Sequence, residues 1–225
     1  MTTRIIKSPS QLFPLIRHLS YFLTTLLLKT AITPNQITLL SLIFGLLCGT
    51  CFISGSHFFQ ILGAIFFILS YVMDNCDGEI ARIKNMSSEF GAKFDDIVDW
   101  FVDSFFFLTL GYGVSEITGH VVWLLLGIIA ACGAFIDYII DLRYHAKNKS
   151  NSITREEQAE HSKKPQNKSD WLIYIFHKIS RADFCFIVFI LAIFNLTYIL
   201  LPFAALGAQI YWITDLFERA RGYKI

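Results

Sequence analysis

The chain has 225 residues, 54% of them hydrophobic, and a formal net charge of +1. A composition this apolar, arranged in long runs, excludes an ordinary soluble domain and places the chain in a membrane. The near-neutral balance gives no basis for bulk nucleic-acid binding, and the five cysteines (Cys48, Cys51, Cys76, Cys132, Cys185) have no metal-ligand spacing and read as small buried hydrophobes.

Residues 10–30 place Leu12, Leu15, Ile16, Leu19, Phe22, Leu23, Leu26 and Leu27 at helical spacing, with Arg17, His18 and Lys29 between them. That stripe predicts a helix lying on the membrane rather than crossing it. Pro9, Pro14, Arg17 and His18 interrupt it too much for a cleavable signal. Thr33-Pro34-Asn35 closes one helix and opens the next, with the proline in the first turn. Residues 1–32 are therefore read as an N-terminal interfacial helix and 33–225 as one membrane domain.

Spans need runs of about 20 apolar residues. They are predicted at 35–53, 58–82, 90–115, 120–143, from 170 or 181 to 195, and at 196–219. The expected fold is thus all-α integral membrane, with about six transmembrane helices behind the interfacial one. Residues 146–169 are polar without an apolar period and form the expected long loop. This plan puts all 19 Lys and Arg on one side and none in the turns of the other, which makes the charged side cytoplasmic.

Between the second and third spans the chain reads D-N-C-D-G-E-I-A-R, eight residues, then G-A-K-F-D-D-I-V-D. Asp74 and Asp77 are three apart and Asp95 and Asp99 four apart, so each pair shares a helix face. Each such group costs roughly 2.5–3.5 kcal/mol at membrane depth, which makes the cluster a candidate functional site. Four carboxylates at one point cannot all stay ionised unless a cation sits between them. Hard oxygen ligands suit Mg²⁺, Mn²⁺ or Ca²⁺ rather than zinc or copper. Gly78 and Gly91 lack side chains and allow close backbone approach. Arg82 is a cation at the edge and can grip a phosphate.

The string D-x2-D-G-x2-A-R-x8-G-x3-D-x3-D resembles the CDP-alcohol phosphotransferase family without departure. The resemblance implies that CMP leaves a CDP-linked substrate as an acceptor hydroxyl attacks the β-phosphorus. It implies that Asp74, Asp77 and Asp95 coordinate metal, Mg²⁺ or Mn²⁺ and two ions in number. Asp99 matches the last aspartate, near the metals and assigned as general base. Asn35, Thr38, Gly78, Arg82 and Ser88 match positions that contact the CDP part, beside Gly91. Asn35 is alternatively a helix cap and Ser88 alternatively a loop hydroxyl. A homodimer is implied as well, and the compact size favours a bacterial inner membrane.

Asp103 extends the Asp95–Asp99 stripe by one turn, a D-x3-D-x3-D pattern that resembles family members handling inositol phosphates. With Arg143 and Arg181 it forms the candidate acceptor pocket, since an acceptor carrying phosphate needs cations. Arg219 and Arg221 read as interfacial anchors. The expected activity is transfer of a phosphatidyl group from CDP-diacylglycerol to a soluble polyol or polyol phosphate. The alternative is transfer of a headgroup phosphate from CDP-inositol, CDP-choline or CDP-ethanolamine to another alcohol. More remote are a cation transporter, against which the edge position of the aspartates argues, and a non-catalytic scaffold.

Overall fold

The computed structural model describes residues 14–147 and 183–221, and every regular element among them is a helix. These are α1 (Ile16–Leu27), α2 (Pro34–Ile53), α3 (His57–Ile83), α4 (Glu89–Thr118), α5 (Val122–Lys147), α6 (Phe184–Ile193) and α7 (Leu200–Arg221), with a 3₁₀ turn at Thr197–Ile199 before α7. Among the described residues, four stretches are long and apolar enough to cross a membrane: α2, α3, α4 and Val122–Ile140 of α5. The apolar parts of the last two, Phe184–Ile193 and Thr197–Ile213, are shorter. The expected start of the fifth span lies outside the described residues, as does most of the 146–169 loop. The helix of the fourth predicted span, α5, continues to Lys147 and so takes in the first two residues of that predicted loop.

Helices α2, α3 and α4 form the centre; α1 and α6 pack on α3, α5 on α4, and α7 on α5. Phe52, Phe67, Phe106 and Leu201 are among the fully buried side chains. Phe67 stacks on Phe106 with ring centroids 4.6 Å apart, and Phe52 meets Phe106 edge-on at 5.1 Å. Leu39, Ile43, Leu46 and Leu47 of α2 remain exposed, as a lipid-facing surface requires.

Lipid supplies no hydrophobic drive between helices, so close backbone approach and buried hydrogen bonds must hold them. At the α4–α5 contact a Cβ on Gly111 would stand 2.8 Å from the Trp123 carbonyl oxygen, and one on Gly127 would stand 2.5 Å from that of Phe107. Only glycine lets these two backbones meet. Between α2 and α3, Ser41 Oγ donates to the Ser70 carbonyl at 3.0 Å and Ser70 Oγ to the Ser41 carbonyl at 2.9 Å.

Helix α1, 12 residues long, lies within the stretch 10–30. Its inward face is mixed: Ile16, Ser20 and Thr24 are buried and Leu23 and Leu27 pack on the core, whereas Leu19, Phe22 and Leu26 face outward.

Candidate active site

The two halves of the motif meet because the chain reverses sharply between them. α3 ends at Ile83, Asn85 adopts the left-handed conformation (φ 54°), and the Met86 N–H donates back to the Ala81 carbonyl at 2.9 Å. That geometry closes the last turn of a helix. Three residues later Ser88 caps α4, its Oγ accepting from the Gly91 N–H at 3.0 Å. Lys84 in the turn donates from Nζ to the carbonyls of Thr30 and Ile32, both at 2.9 Å, and so fixes the α1–α2 linker against the hairpin.

Across this hairpin Asp74 of α3 faces Asp95 and Asp99 of α4. One carboxylate oxygen from each lies within 4.8 Å of the others. All three are half-buried. Asp95 Oδ1 is buried and, among the described residues, has no hydrogen-bond donor. A bare buried lone pair beside two further carboxylates is unfavourable unless a cation occupies the space. The donor set is oxygen only, which fits a hard divalent ion.

Asp77 stands outside this triangle but next to it, close enough for its charge to oppose that of Asp95. It is 3% exposed, and Thr38 Oγ1 donates to its Oδ2 at 2.5 Å. The four motif aspartates therefore converge, but as three plus one. Cys76, between the first two, points the other way; it is fully buried against α1, with Sγ 3.6 Å from the Ser20 carbonyl.

The other predicted residues gather at the same end. A Cβ on Gly91 would stand 3.0 Å from both Asn35 Oδ1 and Ser88 Oγ, which puts these three residues in one cradle. Gly78 is overlain by Arg82, whose Nη1 would be 3.5 Å from a Cβ there. The capping alternative for Asn35 is overturned. Thr33 is the cap of α2, and its N–H donates to Gln36 Oε1 at 2.9 Å, which leaves Asn35 exposed in the first turn. For Ser88 the cap and the cradle are one position.

Of the candidate acceptor residues, Asp103 lies one turn further along α4 and accepts a hydrogen bond from Tyr71 Oη at 3.2 Å. Arg143 is exposed near the end of α5. Arg181 lies outside the described residues, as do the side chains of Arg219 and Arg221.

Three residues were missed from the sequence. Tyr71 precedes Asp74 by three, so helical spacing alone places it on the same face. Glu79, inside the motif, accepts from Ser20 Oγ at 3.1 Å and Thr24 Oγ1 at 2.6 Å. Asp183 accepts the Leu15 and Ile16 N–H groups at 3.0 and 3.1 Å, tying the start of α6 to the start of α1. Their partners lie up to 168 residues away, and no local pattern signals such contacts.

Residues 31–213 match the family described as CDP-alcohol phosphatidyltransferase. Among curated proteins, the bifunctional IPC transferase and DIPP synthase of Thermococcus kodakarensis is 30% identical over 121 residues, 52% of this chain and 26% of that protein. The protein of the same name from Archaeoglobus fulgidus is 40% identical over 80 residues, 35% of this chain and 15% of its own length. The matched stretches thus span about a quarter or less of these relatives. Among solved structures, Mycobacterium tuberculosis phosphatidylinositol phosphate synthase with CDP-DAG bound superposes with a TM-score of 0.55 at 20% identity, over 87% of this chain and 92% of that one. At that identity the likeness establishes the fold.

Proposed function

This chain belongs to the CDP-alcohol phosphatidyltransferase family and is a multi-pass membrane phosphotransferase; from that premise we propose that it transfers a phosphatidyl group from CDP-diacylglycerol to a hydroxyl of a soluble polyol or polyol phosphate, releasing CMP. The observation that carries the reading is the Asp74–Asp95–Asp99 triangle with its bare Asp95 oxygen. Asp74, Asp77, Asp95 and Asp99 would hold Mg²⁺ or Mn²⁺, as two ions. Bound there, divalent cations supply Lewis-acid stabilisation of charge on the diphosphate and on the leaving CMP.

The chain's own groups do the rest. Asn35, Ser88 and Gly91 form a cradle for the nucleotide, with Thr38 fixing Asp77 and Arg82 covering Gly78. Asp99 takes the proton of the acceptor hydroxyl as its oxygen bonds to the β-phosphorus, and the phosphorus–oxygen bond to CMP breaks. An aspartate coupled to cations is a weak base, so holding the hydroxyl in line contributes as much as removing its proton. The hairpin sits at one end of α3 and α4, so a soluble nucleotide and a lipid tail can meet there. The positive-inside count supports placing that end at the cytoplasmic face; the bacterial inner membrane, argued from compact size, and the homodimer, argued from the family resemblance, belong to the same proposal.

Similarity to proteins named for an IPC transferase supports a second reading, in which a CDP-linked polar headgroup is the donor. One assay separates the two. Purified protein in detergent with Mg²⁺ is given CDP-diacylglycerol, CDP-choline or CDP-inositol, each with a panel of alcohols. CMP release from CDP-diacylglycerol that depends on one alcohol, and is lost in Asp99→Asn, is the expected result. Release only from a polar CDP-alcohol establishes the second reading, and no CMP from any pair overturns both.

A further inference from the structure

Helices α4 and α5 meet backbone to backbone at Gly111 and Gly127. About three turns of α4 nearer the hairpin, rings stand between them instead: Trp100 stacks on Tyr138 at 5.5 Å and lies 5.1 Å from Phe135. Between these two levels is a groove of about 300 Å³, lined by Trp100, Ser104 and Leu108 of α4 and by Ile128, Cys132 and Phe135 of α5. Leu108, Ile128, Cys132 and Phe135 are exposed, on a face that in a membrane chain meets lipid. No lining side chain carries a charge.

Two polar atoms at this groove lack partners. Trp100 Nε1 and Ser104 Oγ are buried and, among the described residues, make no hydrogen bond. Ser104 is 7% exposed. The two residues are four apart and share a face of α4. An unmet donor is expensive in hydrocarbon. As the side chains stand, both atoms lie just beneath the groove wall. Another staggered χ1 position turns the Ser104 hydroxyl into the groove, and a tilt of the indole does the same for Nε1.

We propose that this groove binds one acyl chain of a membrane phospholipid, whose ester carbonyl oxygen accepts hydrogen bonds from Ser104 Oγ and Trp100 Nε1. The site goes beyond the phosphotransferase reading and does not rest on it. Trp100 directly follows Asp99, so it stands where the hairpin end of α4 meets the membrane face, a depth that indoles favour and that lipid ester groups share. From there the chain runs toward Leu108, about 12 Å along α4 at 1.5 Å per residue. Two donors without a cation suit an uncharged acceptor, and a carbonyl oxygen has two lone pairs to meet them. A water held there would have these two partners alone. A second copy meeting this face across a two-fold axis would present the same patch, whose lining side chains hold no carbonyl or carboxylate.

Cys132 serves as the reporter, because it is exposed in the groove while Cys48, Cys51, Cys76 and Cys185 are buried. Purified protein in detergent is treated with a small maleimide across a titration of dioleoyl phosphatidylcholine, or of its diether counterpart with the same headgroup and chain length. Alkylation of Cys132 is followed by peptide mass spectrometry. The diester lipid should protect Cys132, and the diether, which lacks the carbonyls, should need about three- to tenfold more lipid for the same protection. In Ser104→Ala and in Trp100→Phe that preference should fall to about twofold or less. Without lipid, Ser104→Ala should melt no lower than the wild type, because it removes a group that has no partner; a lower melting temperature would show that the hydroxyl is already satisfied within the protein and would overturn the proposal. Equal protection by the two lipids, no protection, protection that follows protein concentration rather than lipid, as a second copy would give, or a preference kept in both variants overturns it as well. The wild-type comparison needs no variant to fold. CMP release enters no arm, so the phosphotransferase reading stands or falls separately.

Discussion

Thr38 and Asp77 are 39 residues apart in the chain and share a 2.5 Å hydrogen bond, with both side chains about 3% exposed. The bond crosses from α2 to α3 and sets which way the outlying motif carboxylate points. Asp95 lies close enough to interact with the same carboxylate. Replacing the hydroxyl by a methyl in Thr38→Val keeps shape and volume but leaves Asp77 without this donor, which costs about 1–3 kcal/mol. The expected outcome is a fall of about tenfold in kcat/KM, with a higher Mg²⁺ concentration needed for half-maximal rate. Thr38→Ser should recover most of the activity. Equal activity in Thr38→Val and wild type would remove Thr38 from the site.

Three carboxylates within 4.8 Å repel one another when no cation is bound. Stability and function should therefore move in opposite directions in Asp95→Asn. In EDTA this variant should melt higher than the wild type, because one of the opposing charges is gone. On adding Mg²⁺ or Mn²⁺ the wild type should gain several degrees and the variant much less, since ligand binding stabilises by its affinity. CMP release should drop at least about 100-fold in Asp99→Asn and vanish in EDTA. Thermal melts that respond equally to metal in both proteins would argue that the triangle holds none.

Gly111 and Gly127 let α4 and α5 touch backbone to backbone, and a side chain at either would strike a carbonyl oxygen. Gly127→Val should force the helices apart by more than local adjustment absorbs, at a cost of about 1–3 kcal/mol. Gly111 is 12 residues, more than three turns of α4, from Asp99, so residual folded protein should keep its KM for CDP-diacylglycerol. Reduced yield of monodisperse protein, with unchanged KM in what remains, is the measured signature. A variant as stable as the wild type would show that the close approach carries no weight.

Much of this is legible in the amino-acid sequence. Charged residues are so costly in lipid that Asp74, Asp77, Asp95 and Asp99 stand out, and their spacing already places them on facing helices. The helical plan follows from apolar runs, and the turn chemistry of Asn85 and Ser88 agrees with it. The three-plus-one division of the aspartates was not legible, because it depends on Thr38 reaching across from α2. The alternative of Asn35 as a cap rested on asparagine being a good cap, yet the capping position is set by backbone geometry two residues earlier, at Thr33. Tyr71 could have been found by extending the helical face one turn beyond the motif. Glu79 and Asp183 could not, since their partners are on α1 and nothing local distinguishes them.

Those two carboxylates hold α1 from both ends. Asp183 takes the Leu15 and Ile16 N–H groups, which a helix start leaves without partners, and its negative charge suits the positive end of the helix. Glu79 takes the hydroxyls of Ser20 and Thr24 on the buried face, one turn further and then another. Since Glu79 adjoins Gly78 on the motif helix, α1 is anchored directly to the segment that carries Asp74 and Asp77. Asp183→Ala should cost about 1 kcal/mol and loosen the start of α1, seen as faster hydrogen exchange there. Thr24→Val alone should be worse, because it removes a donor from a carboxylate with few others. Combining Thr24→Val with Glu79→Leu, which replaces the carboxylate by an apolar side chain, should cost less than the two changes added together. Strict additivity in that double-mutant cycle would mean that Glu79 and Thr24 act independently and that the clamp is not a unit.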